Sequence, residues 1–257
     1  MDIVMKHVSF LLIFLMFGFG IYAQEQTQRL DAHKIKWVKI KSKSKITVVG
    51  YDKDEIQIKI DAYNLPPEKA KGLKQYGYKQ ANTDVGFYMT KDGETMYLES
   101  IRNVGKGEAT IFVPKNMSLV IDELGMYDIS VENVEGEIEV SSSLAGAVSI
   151  HGVSGPLTIN TSTGDVTVDF KSLKQSTPLS ISSLAGEVEV KLPVKTKADV
   201  KVTSSMGELY TNFDLEVENE KDVKVGMAGI ALKGKINKGG VLINLHSGTG
   251  NIYLRKK

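Results

Sequence analysis

The feature that most limits the fold of this chain is an internal repeat. Segment 155–170 lies over segment 177–192, so that Pro156 meets Pro178, Leu157 meets Leu179, Ile159 meets Ile181, Gly164 meets Gly186, Val166 meets Val188 and Val168 meets Val190. The register continues upstream, where Leu119, Ile121, Ile129 and Val131 recur 19 residues later as Ile138, Val140, Val148 and Ile150. Downstream, Val200, Val202, Gly207 and Leu209 recur 43 residues later as Ile243, Leu245, Gly250 and Ile252. That wider gap reads as two turns of the repeat, with Val223, Val225 and Gly229 as a degraded turn between them.

Each unit holds two segments of alternating apolar and polar residues around a glycine-containing turn, which is the pattern of two half-buried strands. The aliphatics fall on one face, and residues such as Thr158, Thr167, Glu189 and Lys201 fall on the other. Four aliphatics per unit return less free energy than ordering the unit's backbone costs, so no unit folds alone. Stacking fuses the aliphatics into one core and lets equivalent strands pair. The expectation is an all-β chain: a β-solenoid, a single-stranded β-helix-like stack of two-strand repeats, with about six units of 19 to 22 residues.

The first part is less regular. Trp37 to Lys41, Lys45 to Val49 and Glu55 to Ile60 alternate like the later strands and read as opening units. Asn64 to Gln75, with Pro66 and Pro67 placed at a helix start, predicts a short helix. Phe87 to Met89 and Thr95 to Leu98, around Lys91-Asp-Gly-Glu94, predict a hairpin. Residues 61–110 therefore read as a small helix-hairpin insertion or cap, and 111–257 as the repeat stack, with 24–257 one continuous domain. Arg255-Lys-Lys257 would place positive charge on a final edge strand and discourage edge-to-edge pairing.

A basic start at Met5-Lys6-His7, an apolar run from Val8 to Phe19 and Ile21-Tyr22-Ala23 before Gln24 form a secretion signal, with cleavage expected after Ala23. The run is too short for a membrane span. Met5 is an alternative start to Met1. The chain has no cysteine, which excludes disulfides, thiolate metal sites and a lipidated cysteine. Thirty-two basic residues balance 31 acidic ones, giving no electrostatic footprint for nucleic acid or an anionic bilayer. The expected location is outside the cytoplasm: periplasmic, cell-surface or secreted, with no membrane span after cleavage.

Lys45-Ile-Thr-Val-Val-Gly-Tyr-Asp-Lys-Asp-Glu-Ile-Gln-Ile58, Ile111-Phe-Val-Pro-Lys-Asn-Met-Ser-Leu119, the Ser/Thr-x-x-Gly-x-Val-x-Val units, Lys235 to Ile243 and Gly248 to Lys256 occur in one order. This series resembles the bacterial putative-adhesin family of β-strand-repeat proteins, related to the head-GIN autotransporter adhesins, over Lys36 to Lys256. Lys238-Gly-Gly240 stands where such families show three glycines. The signal's tail, Tyr-Ala-Gln, is similar to exported proteins of Gram-negative Bacteroidota. The resemblance implies an extracytoplasmic β-helical protein with no known catalysis, and it supplies no functional residues.

No catalytic or metal constellation emerges from the residues themselves, and no cofactor is expected. His33, His151 and His246 stand in unrelated units, whereas a metal needs three or four convergent ligands. No Gly-x-Ser-x-Gly elbow is present. Asp165, Glu187 and Glu208 each follow a turn glycine, so stacking would align them about 4.8 Å apart. Such a row is a solvated face of splayed carboxylates, a cation or acidic binding strip, or a carboxylate pair of the carbohydrate-cleaving kind. On the next outward row stand Thr167, Glu189, Tyr210 and, two units on, Tyr253; Tyr210 and Tyr253 read either as good β-formers or as an aromatic platform for sugar or protein.

The chain thus reads as a non-enzymatic surface-acting module, adhesin-like, with a protein or glycan of the cell envelope as partner. Two other readings stand beside it: an enzyme working on polysaccharide along one face, and a periplasmic structural or signalling partner that assembles end to end.

Overall fold

In the repeat strands, alternation of aliphatic and polar residues becomes alternation of burial. The structure is a computed structural model describing residues 26–60, 69, 72–73, 79, 81–101, 108–173, 178–217, 223–226 and 229–257. The first strands are β1 (Gln26–Asp31), β2 (Trp37–Ser42), β3 (Ile46–Tyr51), β4 (Glu55–Ile60), β5 (Phe87–Asp92), β6 (Thr95–Ser100) and β7 (Ala109–Pro114). The middle of the chain forms β8 (Ser118–Glu123), β9 (Ile129–Glu132), β10 (Ile138–Ser142), β11 (Val148–Val153), β12 (Leu157–Thr163), β13 (Val166–Phe170), β14 (Leu179–Ala185) and β15 (Val188–Leu192). The last are β16 (Ala198–Ser204), β17 (Leu209–Thr211), β18 (Val223–Gly226), β19 (Gly229–Ile236), β20 (Val241–Ser247) and β21 (Ile252–Lys256). Among the described residues no segment is α-helical.

Two large mixed sheets face one another across a single core of Val, Ile and Leu. Sheet A runs β1-β4-β7-β3-β9-β11-β13-β15-β21-β17, and sheet B runs β18-β19-β16-β20-β14-β12-β10-β8-β2-β6-β5. Consecutive units of the repeat stack in parallel in the expected register. Leu119 and Ile121 pair with Ile138 and Val140, Ile129 and Val131 with Val148 and Ile150, and Val166 and Val168 with Val188 and Val190.

Stacking order departs from chain order at both ends. β20 lies between β14 and β16, and β21 between β15 and β17, so the C-terminal unit is inserted before the unit that precedes it. Val200 and Val202 therefore pair directly with Ile243 and Leu245, and Leu209 with Ile252. The 43-residue recurrence is one step of the stack rather than two. Val223 and Val225 belong not to a degraded turn but to β18, which pairs antiparallel with β19; β19 folds back antiparallel over β16, and β18 closes sheet B. At the other end β2 and β3 sit between β6 and β7 on one side and β8 and β9 on the other.

The hairpin expected around Gly93 is present as β5 and β6, but β6 pairs in parallel with β2 and is a strand of the stack. The helix-hairpin unit as a whole is not supported; most of the expected helix, over 64–75, lies outside the described residues. Arg255 to Lys257 do not guard an edge, because β21 is internal. They clamp the outer surface: Arg255 binds Glu189, Lys256 reaches Asp214 at 3.4 Å, and Lys257 binds Asp169. The edge of sheet A at this end is β17, only three residues long, a length that itself limits edge pairing.

The corner between the walls is set by two columns. Gly146, Gly164, Gly186, Gly250 and Gly207 stack so closely that a Cβ on each would lie 2.1 to 2.2 Å from a carbonyl oxygen of the adjacent unit. Beside them runs a buried polar column, paired in the order Ser42, Glu123, Ser142, Thr161, Ser183, Ser247 and Ser204. Ser183 donates to the Gly164 carbonyl at 3.0 Å, Ser247 to Gly186 at 2.8 Å and Ser204 to Gly250 at 2.9 Å. Ser247 and Ser204 also accept the NH of their own corner glycines, Gly250 and Gly207, each at 2.8 Å. A small hydroxyl at this position satisfies backbone that the core would otherwise leave unpaired.

Gly186→Ala is expected to destabilise by about 3 kcal/mol or more, because its methyl meets backbone that cannot yield. Gly93→Ala, where nothing lies within 4 Å and only a φ of 55° opposes the change, should cost about 1 kcal/mol. Denaturant titration of the two variants compares them directly. Deleting residues 239–257 removes the strands that separate β14 and β15 from β16 and β17. Trypsin should then cut throughout 195–236 while residues up to Leu192 stay protected; continued protection of 198–236 would refute the inserted order.

Candidate surface site

The corner turns determine where outward side chains fall. Asp165, Glu187, Asn251 and Glu208 occupy the first position after successive corner glycines of sheet A. Stack order therefore places Asn251 between Glu187 and Glu208, and the three acids do not form an unbroken row. Each step is bonded: Asp165 Oδ1 accepts the Glu187 NH at 2.9 Å, and Asn251 Oδ1 accepts the Glu208 NH at 3.0 Å. Asn251 Nδ2 lies 3.4 Å from Glu187 Oε1. A neutral amide interrupts the like charges, bonding the Glu187 carboxylate on one side and the Glu208 backbone on the other.

The next outward row is Thr167, Glu189, Tyr253 and Tyr210, so the tyrosines are adjacent rather than two units apart. Their rings stack with centroids 5.4 Å apart and planes inclined by 15°. Tyr253 OH donates to Glu187 Oε1 at 3.0 Å, and Tyr210 OH donates to Glu208. That bond to the Glu208 carboxylate raises the Tyr210 phenol above its ordinary range. Arg255 lies 5.5 Å from the Tyr253 ring and binds Glu189 Oε1 at 2.6 Å, while Lys191 reaches the other oxygen of Glu189 at 3.5 Å. The five residues singled out in the sequence thus sit at one end of sheet A's outer face. Asn251, Glu189 and Arg255 complete the arrangement, and Asn251 could have been found by carrying the alignment of Gly207 with Gly250 one residue further. Among the described residues no three His, Asp or Glu side chains converge as a metal site would require.

One ionisable group is buried away from this surface. Glu123 has no solvent exposure and stands where other units carry a hydroxyl. Its Oε1 accepts the Gly125 NH at 2.5 Å. Burial pushes the carboxyl above its ordinary value, opposed in part by the Gly125 and Tyr127 amides and the Ser142 hydroxyl.

Fold and surface define a two-walled all-β solenoid whose ordered chemistry faces outward. Residues 123–255 match the family model Toastrack DUF4097, and the chain belongs to that family. Comparison with curated proteins gives no match. Two solved structures are similar at 15% identity. A putative cell adhesion protein from Clostridium sporogenes has a TM-score of 0.41, covering 91% of this chain and 99% of that one. A putative adhesin from Bacteroides fragilis has a TM-score of 0.44, covering 91% and 97%. Among the described residues no helix is long and apolar enough to cross a membrane.

The pH dependence of stability should reveal Glu123. Its folded carboxyl titrates above the unfolded value of 4.5, so the folded chain holds the proton longer and loses stability as pH rises through that window. Glu123→Gln should therefore raise Tm at about pH 7 and leave it unchanged at about pH 4. An equal Tm shift at both pH values would show that charge is not the cause.

Proposed function

We propose that this protein acts without catalysis, through its outer surface, as an adhesin-like module of the cell envelope outside the cytoplasm. The observation that carries the proposal is the stacked pair Tyr210 and Tyr253, outward-facing and held by Glu208 and Glu187. Rigid tyrosines lose little conformational entropy on binding and offer both a flat apolar face and a hydroxyl. The envelope partner is a protein or a glycan. Asp165, Glu187 and Glu208 all serve as hydrogen-bond acceptors within the stack, which favours a scaffold over a carbohydrate-cleaving carboxylate pair. The leader-like N-terminus and the series of repeat motifs similar to the head-GIN adhesins support a place outside the cytoplasm.

Protease added to intact cells should remove the chain if it is surface-displayed, and only after outer-membrane permeabilisation if it is periplasmic; protection until the inner membrane is lysed would overturn the proposal. On arrays of glycans and envelope proteins, Tyr253→Ala should bind about tenfold more weakly than the parent chain. Release of reducing sugar from any glycan bound by the parent would replace this reading with an enzymatic one.

A further inference from the structure

The opposite wall carries a second ordered surface, unrelated to the tyrosine pair. Where β19 folds back over β16, Lys233 and Lys201 become direct cross-strand partners on the outer face of sheet B. Like charges so opposed destabilise a sheet. Neither ammonium has an acidic partner among the described residues, and both are exposed. Lys224, opposite Ala231 on β18, joins them one row along. The three lysines line adjoining clefts, the larger about 340 Å³. Of the two acids in the larger cleft, Asp199 accepts the Gly240 NH at 3.2 Å, and Glu216 lies across the backbone bridge from Lys235.

Next to the lysines the same face becomes neutral and rich in hydrogen-bonding groups. Lys201 pairs with Asn244 and Asn244 with Ser180; Thr203 pairs with His246 and His246 with Ser182. Strand spacing sets these groups about 4.8 Å apart in rows, a regular array of hydroxyl, amide and imidazole groups. Unpaired cations beside such an array suit a ligand that is both anionic and polyhydroxylated.

We propose that this face binds a linear acidic polysaccharide, its carboxylate or sulfate groups on Lys201, Lys233 and Lys224 and its hydroxyls along Asn244, His246, Ser180 and Ser182. The ligand requires the charge and the polyol together, which separates it from nucleic acid and from an anionic bilayer. It does not depend on the tyrosine patch of sheet A.

The test uses the full mature chain with labelled polygalacturonate, dextran sulfate and neutral dextran, at low and at physiological ionic strength. One or both acidic chains should bind, neutral dextran should not, and preference between the two identifies carboxylate or sulfate. Lys201→Ser/Lys233→Ser should weaken that binding about tenfold with Tm unchanged or raised, since the replaced charges repel. Undiminished binding by the lysine variant, equal binding of neutral dextran, or tighter binding to duplex DNA or anionic vesicles would each overturn the proposal.

Discussion

The stack depends on how closely its backbones approach at one corner. At Gly164, Gly186, Gly250 and Gly207 the carbonyl of one unit occupies the space a side chain of the next would need. The adjacent hydroxyls of Ser183, Ser247 and Ser204 bind those carbonyls from inside. Close approach alone would bury unpaired backbone, and hydroxyls alone would leave a wide, wet corner. Together they let the chain turn from one wall to the other without opening the core. Glu123 is the one carboxylate in this column, and it stands where the corner runs Gly125-Met126-Tyr127, with a tyrosine in the place of the later glycine.

Because each corner is nearly alike, a unit carries little information about which neighbour it should have. Period and register were legible in the sequence: the pairings of Ile121 with Val140 and of Val168 with Val190 follow from aligned aliphatics alone. Order was not. Ile243 fits beside Leu179 and beside Val200 with the same register, and it pairs with both. What decides the order lies in segments without the repeat. β19 runs antiparallel to the stack, with β18 paired beyond it, and occupies the outer side of β16, leaving its inner side to β20. The same logic holds at the start, where antiparallel β4 covers β7 and β3 takes the inner position.

The candidate surface was legible to the same extent. Position after the turn glycine identified Asp165, Glu187 and Glu208, and alternation identified Tyr210 and Tyr253 as outward. Their neighbours depended on stack order, so the stacking of the two rings and the Asn251 link between two acids could not be read from spacing. The Lys201 and Lys233 pair was hidden for a stronger reason: an antiparallel register is absent from a parallel repeat, and nothing in the motif of β16 announces the strand that folds over it.

Insertion of both terminal units also changes how the walls behave as surfaces. In a stack ordered along the chain the last unit is held on one side and frays first. Here β20 and β21 are held on both sides, and β21 carries Tyr253 and Arg255. Tyr253 and Arg255 are therefore held by a strand paired on both edges although they lie close to the stack's end, with only β17 beyond them. Binding groups fixed by strands paired on both edges need little further ordering when a partner arrives. A closed aliphatic core with freely varying outward rows can thus place chemistry on either wall without altering the fold that carries it.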